Sequence, residues 1–243
     1  MLKRISIPAL LVTGTDTGVG KTIITCAIAA ALRRAGLRVG VLKPVATGCI
    51  KAREGLVSED AELLAHHADS PHPLDIICPQ RYLEPLAPAV AAERAQQPVD
   101  WAAVQRSIDI ISPTSDVLLV EGVGGIMVPL DNRHTVLDLA QWMSAPAVIV
   151  ARPNLGTINH TLLTARALRS VEVSVAGVVI NRYPPDSTPV AEETNPRAIE
   201  RWGKVPVLGI VPETTERMDR ALPTDVLSPI ERVDWLGIAT ART

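Results

Sequence analysis

The stretch Ala9-Leu10-Leu11-Val12-Thr13-Gly14-Thr15-Asp16-Thr17-Gly18-Val19-Gly20-Lys21-Thr22 decides the fold of this chain. The apolar run Leu10 to Val12 reads as a buried strand, the segment Gly14 to Gly20 breaks it, and Lys21-Thr22 opens a helix whose body runs from Ile23 to Arg34. A strand, a glycine-rich turn and a helix that starts at Lys-Thr make a phosphate-binding loop. Glycines let backbone N–H groups converge on an anion, the helix N-terminus adds partial positive charge, and Lys21 adds a full one. The Thr22 hydroxyl is placed to meet the Mg²⁺ that accompanies a nucleoside triphosphate. Five residues separate Gly14 from Gly20, one more than in the usual loop, so Thr15 stands where the first glycine of that pattern falls.

The chain around this loop has 243 residues, enough for one large α/β domain, 1–243, and no composition shift marks a boundary. Its net charge of −2 points to no nucleic-acid or anionic-membrane partner. The hydrophobic fraction of 47%, carried by Ala, Val, Leu and Ile with no Phe, suits a buried parallel sheet under helices. Cys26, Cys49 and Cys78 are odd in number and widely spaced, which indicates neither a disulfide framework nor a zinc site and leads us to expect a reducing cytoplasm. Lys3-Arg4 ahead of apolar residues faintly resembles a signal peptide, but that run ends at the phosphate loop. No apolar run approaches the ~20 residues that a spanning helix needs.

Beyond the loop, strands and helices alternate. Val39 to Lys43 reads as a strand ending in Lys43-Pro44-Val45-Ala46-Thr47-Gly48, with Lys43 at the carboxyl end where open α/β sheets bind ligands. Ser58 is an N-cap for a helix whose first turn carries Glu59, Asp60 and Glu62; dipole complement is the simplest reading of these acids, and a reach to Mg²⁺ the alternative. His66, His67 and His72 lack ligand-spaced partners and read as a solvated helix end. Residues 71–98 form a proline-rich connection, followed by an amphipathic helix from Trp101 to Ile111.

Asp116-Val117-Leu118-Leu119-Val120-Glu121 is a Walker-B-like strand whose terminal carboxylate faces the metal, and Gly122-Val123-Gly124-Gly125 allows close backbone approach to a ligand. Further strands are expected at Ala147 to Ala151, Val175 to Ile180 and Val207 to Val211, with helices at Thr161 to Arg169 and Thr188 to Trp202. The segment Asn154 to His160 ahead of the first of these helices offers free N–H groups to a carboxylate or phosphate, or is simply capped. Asn181 at a strand end reads a purine edge or caps a turn. Residues 224–240 form a final helix or an irregular tail. The pattern predicts a doubly wound, mostly parallel sheet with helices on both faces.

Four motifs occur in order: Gly14-Thr15-Asp16-Thr17-x-Val19-Gly20-Lys21-Thr22, Lys43-Pro44-Val45-x-Thr47-Gly48, Val120-Glu121-Gly122-x-Gly124-Gly125 and Gly156-x-Ile158-Asn159-His160. Together they resemble the dethiobiotin synthetase family, which has a P-loop NTPase-like fold, and the match runs to about Pro212. The resemblance implies that 7,8-diaminononanoate, CO2 and MgATP are converted to dethiobiotin, ADP and phosphate. One amine takes up CO2 as a carbamate, the carbamate attacks the γ-phosphate, and the second amine closes the ureido ring.

It also implies roles. Thr15, Asp16, Thr17, Gly18, Val19, Gly20, Lys21, Thr22 and Ile23 cradle the nucleotide phosphates, and Asn181 with Pro206, Val207 and Leu208 forms the adenine region. Lys21, Lys43 and Thr47 act on the reacting groups. Thr22, Asp60 and Glu121 match the Mg²⁺ ligands, which reverses the dipole reading of Asp60. Thr47, Gly124, Gly156, Thr157, Ile158 and Asn159 bind substrate, the last four across the interface of a homodimer. Where family members often have Ser-Pro-His, this chain has Ala87-Pro88-Ala89. The competing reading is a MinD/ParA-like nucleotide-dependent switch, but the signature lysine of that group falls on Asp16 here.

Overall fold

Leu10, Leu11, Val12 and Thr13 are wholly inaccessible to solvent, and so are Val117 to Val120 and Ala147 to Ala151. Runs without polar interruption arise when both faces of a sheet are covered, so that neither side of the two-residue period meets water. The computed structural model, which describes residues 4–53, 55–184, 190–214 and 221–241, shows this arrangement. Six parallel strands make one sheet: β1 (Ala9–Gly14), β2 (Val39–Leu42), β3 (Val117–Gly125), β4 (Ala147–Ala151), β5 (Val175–Tyr183) and β6 (Val207–Pro212), in the order β6-β5-β4-β1-β3-β2.

Alternation splits the core in two. Leu11, Leu118, Val120, Ile149 and Ile180 point to one face, where Val104 and Ile108 of the helix Trp101–Ile111, Leu139 of Val136–Met143, Leu168 of Thr157–Ser170 and Ile199 of Val190–Gly203 meet them. Leu10, Val12, Val41, Leu119 and Val150 point to the other, against Ile24 and Ile28 of Lys21–Arg34 and Leu64 of Glu59–Ala68. The tail adds two helices to this second face, Thr224–Glu231 and Trp235–Thr240, held there by Ile230 and Trp235, whose indole N–H donates to the Ile230 carbonyl at 2.7 Å. Apolar burial of this size, not the capping of any one helix, carries the stability.

The structure refines several expected boundaries. The first helix begins at Lys21, where Lys21-Thr22 was expected to open it, and the helix expected from Thr161 begins at Thr157. That expected from Thr188 is described from Val190 onward, Thr188 and Pro189 lying outside the described residues, as does Lys3. The proline-rich connection contains two short helices, Leu74–Ile77 and Pro88–Arg94, and a two-residue strand, Gln80–Arg81, paired with Val45–Ala46. Among the described residues, no helix is long and apolar enough to cross a membrane.

Candidate active site

β1 lies between β3 and β4, so the loop that leaves its carboxyl end opens beside the ends of both neighbours, where open α/β sheets place their ligands. The helix that follows has no acid in its first turn, and its N-terminal partial charge is left for an anion. Gly20 caps that helix at φ 93°, and a Cβ there would stand 2.1 Å from Asn181 Nδ2. Only glycine meets both demands. Asn181, at the edge of β5, donates to the Val19 carbonyl at 2.9 Å and so braces the loop from the side. Lys21 folds back so that Nζ donates to the Asp16 carbonyl at 3.1 Å. Burial, and then repulsion from Lys43, lowers the Lys21 ammonium to about 8 against the pull of Glu121, Asp60 and Asp16.

Three elements bring side-chain oxygens to one point. Thr22 comes from the loop helix, Asp60 from the first turn of Glu59–Ala68, and Glu121 from β3 opposite Val12. Thr22 Oγ1 lies 2.9 Å from Asp60 Oδ1 and 2.9 Å from Glu121 Oε1. Lys43, the residue after β2, donates to Asp60 Oδ2 at 2.9 Å and to Glu121 Oε1, with the Gly122 carbonyl at 3.4 Å. Burial opposes the Lys43 charge, but the attraction of Glu121 and then Asp60 outweighs it and raises the ammonium above its ordinary value. Burial likewise pushes the Asp60 carboxyl up, and the Lys43 charge and hydrogen bond overcome this and lower it. Ser58 caps the Asp60 helix through Ala61 N–H at 3.3 Å, while Glu59 and Glu62 stay exposed, so only Asp60 exceeds the dipole role.

Glu121 Oε2 is fully buried and has no hydrogen-bond partner among the described residues. Two carboxylates and a hydroxyl oxygen, one carboxylate oxygen unmatched, suit a hard divalent cation such as Mg²⁺. The histidines belong elsewhere. His67 is buried rather than solvated, and His72 meets Thr114 Oγ1 at 2.9 Å.

Gly124, at φ 60°, is next to last in β3 and lies beside the loop, where a Cβ would lie 3.3 Å from Thr17 Oγ1 and 2.6 Å from Val128 Cγ2. Thr47 is half-buried in a turn closed by Gly48 N–H to the Glu84 carbonyl at 3.1 Å and Tyr82 N–H to the Ala46 carbonyl at 2.9 Å. Gly156, Thr157, Ile158 and Asn159 form a separate helix start beyond β4, with Gly156 at φ 95°. The departing residues Ala87-Pro88-Ala89 start the helix Pro88–Arg94, and Ala89 N–H donates to the Pro129 carbonyl at 3.1 Å.

One group stands at the wrong end of the sheet. Val207 pairs with Val178 at the amino end of β6, while Pro212 pairs with Tyr183 at the carboxyl end beyond Asn181. Five strand steps, about 16 Å, separate Val207 from that edge. Pro206 accepts the Val178 N–H at 2.8 Å, and Leu208 covers Gly177, where a Cβ would lie 2.4 Å from Leu208 Cγ. The structure therefore removes Pro206, Val207 and Leu208 from the edge expected of an adenine region. Asn181 instead shares a cavity of about 180 Å³ with Arg182, Pro212, Glu213, Thr214 and Val226. Arg152, just past β4, also escaped the reading of the sequence although a strand-end position was its signal: Nη2 donates to the Thr17 carbonyl at 2.9 Å.

Comparisons with known proteins agree with this geometry. A family profile described as an AAA domain matches residues 8–220. The ATP-dependent dethiobiotin synthetase BioD of Thermodesulfovibrio yellowstonii is 43% identical over 212 residues, covering 84% of this chain and 88% of that protein. The protein of the same name from Bacillus licheniformis is 41% identical over 216 residues, 88% of each chain, and that of Nitrosopumilus maritimus is 36% identical over 204 residues, 84% and 88%. Among solved structures, the cell division ATPase MinD of Pyrococcus furiosus superposes with a TM-score of 0.52 at 18% identity, over 93% of this chain and 99% of that one. Such a likeness speaks for the fold alone. With identity above two-fifths across nearly the full length of a curated relative, and with the phosphate loop, Lys43, Asp60 and Glu121 gathered at one sheet edge, the chain belongs to the dethiobiotin synthetase family of ATP-dependent, C–N bond-forming ligases.

Proposed function

We propose that the protein converts 7,8-diaminononanoate, CO2 and ATP to dethiobiotin, ADP and phosphate, working in the cytoplasm as a homodimer in which the whole chain, 1–243, acts as one domain. The observation that carries this reading is the convergence of Lys21, Thr22, Lys43, Asp60 and Glu121 at the carboxyl ends of β1, β2 and β3. Such a reaction asks for charge stabilisation and positioning and needs no protein nucleophile.

Residues 15–23 wrap the phosphates with backbone N–H groups, and Lys21 turns from the Asp16 carbonyl to the β- and γ-phosphates. Lys43 neutralises charge as the carbamate oxygen attacks the γ-phosphorus; its burial strengthens that interaction. Thr47 and Gly124 line the side on which the carbamate lies. Thr22, Asp60 and Glu121 would hold Mg²⁺, which when bound supplies charge neutralisation and alignment of the phosphates. Asn181 with the Pro212 to Thr214 edge holds the base. This takes over the place that Pro206, Val207 and Leu208 do not reach.

The helix start Gly156-Thr157-Ile158-Asn159 of a second copy receives the substrate carboxylate through its free N–H groups. Leu155, 87% exposed beside it, and Leu163, 59% exposed on the same helix, support an interface there. Three buried cysteines without disulfides support a reducing compartment.

The test is phosphate release from MgATP with bicarbonate, with or without the diamine, together with mass spectrometry of the product. Diamine-dependent release with a product at the ureido mass is expected. Release indifferent to the diamine would sink the synthetase reading.

A further inference from the structure

Arg152 stands one residue past β4, at the edge where β4 and β1 run side by side and Thr15 N–H donates to the Val150 carbonyl at 3.0 Å. Its guanidinium turns back over the phosphate loop. Nη2 donates to the Thr17 carbonyl at 2.9 Å and lies 3.8 Å from Asp16 Oδ2. Asp16 grips the same residue from the other side, its Oδ1 accepting the Thr17 N–H at 2.7 Å. Both peptide groups of Thr17 are thus tied, one to a carboxylate and one to a guanidinium.

The tie bears on where Thr17 points. Its hydroxyl oxygen lies near the Gly124 corner of β3, the side of the site opposite β4. A side chain anchored at β4 therefore sets an oxygen that reaches toward β3. A second observation separates Arg152 from an ordinary solvated strand-end arginine. Its side chain is 43% exposed, yet Nε is buried without a hydrogen-bond partner among the described residues. Leaving a buried donor unmatched costs free energy, and a freely solvated guanidinium would not adopt this pose. What the pose gains is the bond to Thr17 and the charge beside Asp16. The planar fork of arginine can present one edge to a carbonyl and a carboxylate together, which a lysine ammonium does less well.

We propose that Arg152 is a positioning residue for the reaction described above, on which this inference rests: it locks the Thr17 peptide so that the Thr17 hydroxyl stays at the Gly124 corner where the carbamate reacts. Arg152 acts through Thr17 and touches neither phosphate nor diamine. Small misplacements of groups that orient reactants cost rate far out of proportion to their distance, so the lock is expected to matter to turnover.

The experiment compares wild type, Arg152→Ala and Arg152→Lys by three readouts: hydrogen–deuterium exchange of residues 14–22 without ligand, MgATP affinity by calorimetry, and kcat and KM for the diamine. Arg152→Ala is expected to speed exchange around Thr17, to lower kcat/KM for the diamine about tenfold, and to leave MgATP affinity within about threefold. Arg152→Lys, which keeps the charge and one donor for the Thr17 carbonyl, should recover most of the loss. Exchange and kinetics unchanged in Arg152→Ala would overturn the proposal. So would MgATP affinity lost in step with kcat, which makes Arg152 a nucleotide ligand, or a lysine variant no better than alanine with a lowered melting temperature, which makes it merely structural. Wild-type protein that forms no product sinks the synthetase reading and the catalytic sense of the lock with it, whereas unchanged exchange sinks the lock alone.

Discussion

Thr22 Oγ1 lies 2.9 Å from Glu121 Oε1, joining the first turn of the loop helix to a strand residue 99 positions later. The same hydroxyl oxygen is 2.9 Å from Asp60 Oδ1, and one hydroxyl proton serves only one of these acceptors. The cluster therefore depends on a cation, and among the described residues Lys43 supplies it.

Lys43→Ala should abolish most turnover, by at least about a hundredfold, and cost about 3 kcal/mol of stability, because it strands the wholly buried Glu121 carboxylate. Millimolar Mg²⁺ should then raise the melting temperature of the variant more than that of wild type, since the ion takes over the neutralising role. Thermal melts with and without MgCl2 check this. Equal responses would show that these oxygens do not attract a cation.

Gly20→Ala meets two obstacles, a φ of 93° and the Asn181 amide 2.1 Å from the new Cβ. A loss of about 3 kcal/mol is expected, with nucleotide binding lost as the loop shifts. In Gly20→Ala/Asn181→Ala the steric part should return while about 1 kcal/mol of backbone strain persists. Urea denaturation of the two single variants and the double one gives the comparison; additive effects would place the clash elsewhere.

Leu208 covers Gly177 at the amino end of the sheet, far from the phosphate loop. Leu208→Ala should therefore lower the melting temperature and leave KM for ATP within about twofold, its cost being one of packing. Asn181→Ala should do the reverse in emphasis, raising KM for ATP through the freed Val19 carbonyl. Steady-state kinetics on both variants decide between the two ends of the strand.

Asp131 accepts the Trp101 indole N–H at 2.6 Å and the backbone N–H groups of Arg133 and His134 at 2.7 and 2.8 Å. Burial raises its carboxyl, but the hydrogen bonds from His134 and then Trp101 prevail and hold it at about 2. The folded value is below that of the unfolded chain, so the stabilisation is full above about pH 5 and fades as pH falls toward 2; its size is about 2 kcal/mol. Asp131→Asn, which turns an amide NH2 against one of these donors, should lose about that much at pH 7, and its gap to wild type should close on acidification. Urea midpoints between pH 7 and 2.5 measure it. A gap that stays constant would mean that the carboxylate charge contributes nothing.

Much of this molecule is legible locally. The torsional freedom of Gly18 and Gly20, the apolar runs Leu10 to Val12 and Val117 to Val120, and the Ser58 cap each depend on a few neighbours, and each stands where the sequence predicts it. The acid Glu121 at a strand end and Lys43 after another were readable for the same reason. Asp60 was legible only through the family resemblance: its neighbours describe a dipole complement, and the structure brings it to Lys43 and Thr22.

By itself, then, the amino-acid sequence determined the phosphate loop, the parallel α/β class and the set of motifs that marks the family, because periodicity, glycine torsions and helix starts are short-range properties. Tertiary structure alone decided which side chains meet. It carried Asp60 to Thr22 across 38 positions and Arg152 to Thr17 across 135, and it left Pro206, Val207 and Leu208 at the end of the sheet away from Asn181. These outcomes rest on strand order and register, which are set by burial on both faces of the sheet and which no short stretch of the chain encodes.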